Sequence, residues 1–313
     1  VDPVPRALRL LYGAGTACIA VLGVTFVLSS ETFYAGKLER WRGNAVGGLM
    51  VLTGRAELAE NHAAAFDKVR RDYPLPRVEG TVTIIAAKPL AMIAHGLDYK
   101  TIPSALNYTA WTPGFDALDA AFLAGEAAPD HVFADRSVYT GFEMWVRLFE
   151  NYRLAGRTKQ FLHFEKTAPE TWRQGPPAGI KTGFGETVVP PGEGTRPIWL
   201  TGTIERTLFG RLFEFLFKIP AITLVQETAA GEPVRQFVSR GQLRAGVLVS
   251  PAVRDIEDLA RLAGLAAGGD LSAIATTGFH FEAGTRPHWF YDPEIRLALS
   301  AMIPEGAATR KPD

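Results

Sequence analysis

Thr81-Val82-Thr83-Ile84-Ile85, followed shortly by Pro89-Leu90-Ala91-Met92-Ile93-Ala94-His95-Gly96, is the stretch in which the chain first commits to a fold. The first five residues are a β-branched run, the composition of a buried strand. The next eight begin with proline and end with glycine, the asymmetry of a short helix. Downstream, an extended piece from Ile102 to Tyr108 leads to Thr112-Pro113 and to a helical pattern of Phe115, Leu118, Ala121 and Phe122. Asp130-His131-Val132-Phe133-Ala134 reads as a short buried strand, Phe142 to Glu150 as a helix, and Phe161 to Phe164 as one more strand. Strands alternating with helices predict a small α/β domain with partly parallel strands over residues 80–168.

Further along, the texture changes. Residues 169–196 are crowded with glycine and proline, as in Gly175-Pro176-Pro177 and Pro190-Pro191-Gly192, and read as a turn-rich connection. Beyond it come short strand candidates at Ile198–Ile204, Ala221–Glu227, Val234–Val238, Gly246–Val249, Ile274–Glu282 and Ile295–Met302. Only Asp255 to Leu265 has a clear helical face, made by Ile256, Leu259, Ala260 and Ala263. Residues 197–303 therefore read as an antiparallel β-sandwich of jelly-roll type, and 304–313 as a flexible tail.

Upstream, Leu58, His62, Phe66 and Val69 repeat at helical spacing among charged residues, so 31–79 reads as a juxtamembrane helical linker ended by Tyr73-Pro74-Leu75-Pro76. Before it lies the uncharged run Leu10–Leu28, LLYGAGTACIAVLGVTFVL. Nineteen residues at ~1.5 Å each give about 28 Å, close to the apolar thickness of a bilayer. Residues 1–30 are read as a cytoplasmic end and a transmembrane helix. A buried core helix and a cleaved signal peptide are the alternatives; Leu28-Ser29-Ser30 fits a cleavage site only loosely, which favours a retained anchor. Arg6 and Arg9 precede the run, placing the N-terminus in the cytoplasm and the bulk of the chain in a bacterial periplasm. Gly13 and Gly15 would allow close helix contact within the membrane, and Phe33, Tyr34 and Trp41 sit where aromatic side chains favour the headgroup region.

Charge and motif content narrow the function classes. Thirty-three basic residues balance 33 acidic ones, which argues against a protein built to coat nucleic acid. The single cysteine, Cys18, excludes an intramolecular disulfide framework and a cysteine-based zinc cluster. The six histidines form no His-x-x-x-His pair, so no metal site and no cofactor is expected from spacing. Nor is there a Gly-x-Ser-x-Gly elbow or a Walker glycine pattern. Asp116, Asp119, Asp130 and Asp135 cluster in sequence around the Tyr108–Pro113 loop. Asp116 and Asp119, three apart on a helix, share a face where a cation or sugar hydroxyl could sit; helix capping explains them equally well. Trp289 and Tyr291 belong to the densest aromatic-basic cluster, Thr285 to Tyr291, suited to lipid headgroups or a partner protein. RTLFGRLFEFLFK, residues 206–218, reads either as a buried cap on the sandwich or as a helix resting on a membrane.

Several words resemble a known group. Gly80-Thr81-Val82, Gly96-Leu97-Asp98-Tyr99, Asn107-Tyr108-Thr109-Ala110-Trp111-Thr112-Pro113 and Ala128-Pro129-Asp130 resemble the soluble C-terminal region of uncharacterised polytopic bacterial membrane proteins. Those proteins are themselves compared with membrane glycosyltransferases that use lipid-linked sugars. The resemblance continues through Gly210-Arg211-Leu212, Phe217-Lys218-Ile219-Pro220 and Gly246 to Pro251. This chain departs from the pattern at Leu106, Trp111, Asp119 and Thr83, where the group carries Gln, Tyr, Asn and Asp.

Together these readings predict an α+β chain with one N-terminal transmembrane helix, a small α/β domain and a jelly-roll-like sandwich. The expected role is a membrane-anchored binding or assembly protein, a non-catalytic accessory subunit whose partners are the lipid bilayer and other integral membrane proteins. The alternative is the C-terminal periplasmic domain of a sugar transferase, contacting glycan through Tyr108, Trp111, Asp116 and Asp119.

Overall fold

A computed structural model describes residues 39, 42–43, 45–46, 58–86, 88–104, 112–135, 141–170, 172–192, 196–217, 219–229, 231–264 and 270–304. The run Leu10–Leu28, with Gly13, Gly15, Phe33, Tyr34 and Trp41, lies outside the described residues, as do Tyr108 and Trp111. Among the described residues no helix is long and apolar enough to cross a membrane. The chain divides into two compact units, residues 1–67 and 68–313. Helix α1 (Leu58–Asp72) runs across that division. In the first unit the rings of His62 and Phe66, one turn apart, lie 4.1 Å from each other at a tilt of 45°.

The second unit is α+β. Its first sheet contains β1 (Thr81–Ile85), β2 (Asp98–Tyr99), β3 (His131–Ala134), β4 (Tyr152–Arg157) and β5 (Leu162–Lys166) in the order β2-β1-β3-β5-β4. β1 runs parallel to β2 and β3, whereas β5 is antiparallel to both β3 and β4. β1 and β3 are buried on both faces along most of their length, which is why β1 reads as a β-branched run without polar alternation. One face carries Val82, Ile84 and Phe133 under Ala91 and Met92 of α2 (Leu90–Ala94). The other carries Ile85, Val132, Leu162 and Phe164 under Leu123 of α3 (Pro113–Ala124) and Met144, Trp145 and Leu148 of α4 (Phe142–Asn151).

The remaining strands form antiparallel sheets. β9 (Ile222–Thr228) lies between β10 (Val234–Val238) and β12 (Thr276–Glu282). β8 (Ile198–Arg206) pairs with β11 (Val247–Ser250) and with the long β13 (Tyr291–Pro304). One apolar cluster joins the sheets, with Leu200, Ile204, Leu297 and Leu299 facing Leu224, Phe279 and Phe281. Residues 169–196, read from sequence as a connection, hold two further strands. β6 (Trp172–Gln174) and β7 (Ala178–Thr182) both pair with β13, which is long enough to bind several partners along its length. Short helices interrupt the strands: α5 (Leu208–Leu216), α6 (Arg240–Ala245), α7 (Ile256–Ala263) and α8 (Pro287–Phe290).

One end of the outer face of the β8–β13 sheet is also covered. Trp199, Leu248 and Met302 join Trp145, Leu148, Leu259 and Leu262 in a single apolar cluster. The mixed sheet and the antiparallel strands thus share a core within this unit. The ring of Phe142 at the start of α4 lies 4.9 Å from that of Trp199. Gly246 is placed where a Cβ would stand 2.6 Å from the Cβ of Phe142, and its φ of +116° favours glycine on its own account.

Candidate functional site

Asp116 and Asp119 do share a face of α3, and that face is buried: both side chains are at most 1% exposed. The Asp116 carboxylate accepts the backbone N–H groups of Glu143 at 2.9 Å and Met144 at 3.0 Å, at the start of α4. α4 begins at Gly141, whose φ of +81° and missing side chain leave the helix without an N-cap acceptor of its own. Asp116 supplies that acceptor from the neighbouring helix. A Cβ on Gly141 would come within 2.8 Å of Asp116 Oδ1, so glycine there makes room for the cap. Burial pushes the Asp116 carboxyl up from 3.8 to about 6, against the two backbone donors that favour its ionised form. Asp119 accepts the backbone N–H of Ser104 at 2.9 Å, and burial raises its pKa as well. Asp130 lies at the surface and takes both the N–H and the hydroxyl of Thr81 at 2.8 Å, tying β1 to the start of β3 and lowering its own pKa.

The aromatic-basic segments converge at another place. Thr207 caps α5 by accepting from Gly210 N–H at 2.9 Å, and its hydroxyl donates to the Trp289 carbonyl at 2.6 Å. α5 therefore lies against α8. Gly210 permits the contact, since a Cβ there would stand 2.0 Å from the Phe290 carbonyl oxygen. Phe209 and Phe213 turn toward Phe290, with ring centroids 5.7 and 5.2 Å away, and Phe209 meets Trp289 edge-on at 6.3 Å. The opposite stripe of α5, made by Leu208, Leu212 and Phe215 at i, i+4 and i+7, faces solvent, and Leu208 and Phe215 are each 85% exposed. Trp289 is half exposed with the Arg286 guanidinium 5.1 Å from its ring, and Arg211 is exposed on α5 itself. Arg206 pairs with Glu214. Beside the helix, a cleft of 640 Å³ is lined by Glu214, Ile219, Phe237, Arg240 and Tyr291. Tyr291 is buried and donates its hydroxyl to the Pro220 carbonyl.

Sequence reading missed a third constellation. His131 on β3 and His163 and Glu165 on β5 bring one ring nitrogen each and a carboxylate oxygen within 4.8 Å of one another. Glu165 lies directly opposite His131 in the antiparallel register, and His163 lies opposite Phe133, whose ring it stacks on at 4.8 Å. The three share the sheet face that carries Val82 and Ile84. Burial and the neighbouring His131 ring hold the His163 pKa below its usual value.

The chain matches no protein-family model and no curated protein.

Proposed function

We propose that the chain is a membrane-tethered periplasmic binding or assembly protein, a non-catalytic accessory subunit of a larger membrane complex, with α5 resting on the bilayer surface. The observation that carries this reading is the uncovered stripe Leu208, Leu212 and Phe215. A nine-residue helix that is apolar around most of its circumference is normally buried; here one side packs on α8 and the other meets water. Leaving three large apolar side chains in water forgoes roughly 1.5–3 kcal/mol each, which a membrane interface would return. The exposed cations Arg211 and Arg286 and the half-exposed Trp289 are the residue types found at the level of lipid headgroups. The sequence reading of an anchor at Leu10–Leu28 and of a jelly-roll-like sandwich belongs to the same proposal, since a tether upstream would keep the second unit close to a bilayer. The glycan-contact alternative draws less support: Asp116 and Asp119 are buried and engaged with backbone N–H groups.

The test uses the full chain with Cys18→Ser and Phe215→Cys, labelled with an environment-sensitive dye and reconstituted in phosphatidylcholine/phosphatidylglycerol vesicles. Blue-shifted emission quenched by brominated lipid is expected. Emission characteristic of bulk water would refute the seating of α5. Purification of a lone polypeptide that transfers sugar from a polyprenyl donor would refute the accessory role.

A further inference from the structure

We propose that His131, His163 and Glu165 form a binding site for a divalent transition-metal ion of the zinc class. Three observations carry it. The first is spacing: His131 Nδ1 and His163 Nε2 are 3.0 Å apart. Two nitrogens each about 2.0–2.1 Å from one ion sit roughly 3–3.5 Å apart, so the pair already has the required bite.

The second is the tautomer. His131 Nε2 lies 2.8 Å from the Glu79 backbone carbonyl, an acceptor only, so that nitrogen carries the proton and donates. The lone pair is thereby left on Nδ1, the atom that faces His163. Fixing a ligand imidazole through a backbone carbonyl on its far nitrogen is the usual outer support of a metal-bound histidine. In the metal-free chain His163 Nε2 donates to His131 Nδ1. On metal binding the His163 proton moves to its other nitrogen and the ion takes the place of the hydrogen bond, with no net change in protonation.

The third is the carboxylate and its freedom to move. Glu165 faces Arg153 at 3.7 Å, but both side chains are more than a third exposed. Such an exposed, loosely spaced pair is too weak to keep the carboxylate from swinging onto an ion. Two imidazoles and a carboxylate suit zinc, and a three-residue set leaves a further coordination position for water or a ligand. His163 borders a cleft of 450 Å³ between Pro74–Pro76 and Ala155–Lys159, which provides a route of entry.

The experiment is a titration of the purified full chain with zinc chloride after chelator treatment, followed by calorimetry and by displacement of cobalt(II) monitored in the visible spectrum. One saturable zinc per chain is expected, together with a tetrahedral cobalt spectrum and a rise in Tm. The paired substitution His131→Gln and His163→Gln should abolish saturable binding, and Glu165→Gln should weaken it. Should the histidine variants fail to fold, Glu165→Gln remains decisive, because it keeps the size of a partly exposed side chain whose one ion pair is weak while removing the anionic ligand. Absence of saturable binding to the unmodified chain, zinc affinity retained in the histidine variants, or an affinity unmoved by Glu165→Gln would overturn the proposal.

Discussion

Replacing Asp116 by asparagine should remove a pH dependence of stability that the wild-type chain carries between about pH 4 and pH 7. The carboxyl rises from 3.8 to about 6 on folding because it is buried between α3 and α4. A carboxyl with a raised folded-state pKa binds its proton more tightly folded than unfolded. Its contribution is therefore fully present below pH 3.8 and is lost as pH rises through about 6. At ~1.4 kcal/mol per unit, the loss approaches 3 kcal/mol near neutrality. Asparagine is neutral throughout, so it contributes no such slope. It also substitutes an NH2 for one of the two oxygens that accept from Glu143 and Met144, adding a constant penalty of about 1–2 kcal/mol at every pH. The slope and the offset are separable by urea denaturation across the pH range. The stability of Asp116→Asn relative to wild type should improve by about 2.4 kcal/mol from pH 4 to pH 7, whatever its absolute level. Parallel curves would mean that the buried cap is ionised as easily folded as unfolded, and the account of the α3–α4 junction would fail.

Other perturbations separate packing from surface. Gly210→Ala should drive α5 off α8, because the new Cβ meets backbone of Phe290 that cannot yield; a loss of about 1–3 kcal/mol on denaturation is expected. Gln226→Leu should cost about 2–4 kcal/mol by the same measurement. Gln226 is fully buried, donates to the Val249 carbonyl at 3.0 Å and accepts from Gln236 at 3.1 Å, so its loss strands two buried groups at once. Leu212→Ser with Phe215→Ser should leave the denaturation midpoint within about 0.5 kcal/mol of wild type, since neither side chain is covered, yet should reduce the lipid quenching seen at α5 with a reporter placed at Leu208→Cys.

The parts of the fold that were legible in sequence are those set by local signals. β1 and β3 are β-branched or apolar runs because both of their faces are covered, and Pro89 and Gly96 bracket α2. Thr112-Pro113 marks the start of α3: the Thr112 hydroxyl accepts from Phe115 N–H, and proline at the first helical position gives up no hydrogen bond. β6 and β7 were not legible, because glycine and proline around them signal turns. Their strand character comes from β13, which pairs with residues more than a hundred positions earlier. α6 was missed for a different reason. Its six residues are too few to display a helical period, although Ser239 and Gln242 form a complete capping box that could have marked it.

The candidate sites divide along the same physical line. Helical spacing in residues 206–218 identified which positions are apolar, but periodicity cannot say whether an apolar stripe is covered. That depends on where α8 docks, and Gly210 and Thr207 decide it by admitting Phe290 and Trp289 to one side only. Asp116 and Asp119 were placed correctly on one face, while the direction of that face followed from α4, whose lack of a side-chain cap at Gly141 creates the demand that Asp116 meets. The histidine pair is the extreme case. His131 and His163 are 32 residues apart, so no short ligand spacing connects them. What brings them together is the β3–β5 register, in which a shift of one residue would send His163 and Glu165 to the opposite face and leave His131 alone. That register is held by the inward-facing Val132, Leu162 and Phe164 of the same strands, so the convergence of the three polar groups is a consequence of burying their apolar neighbours.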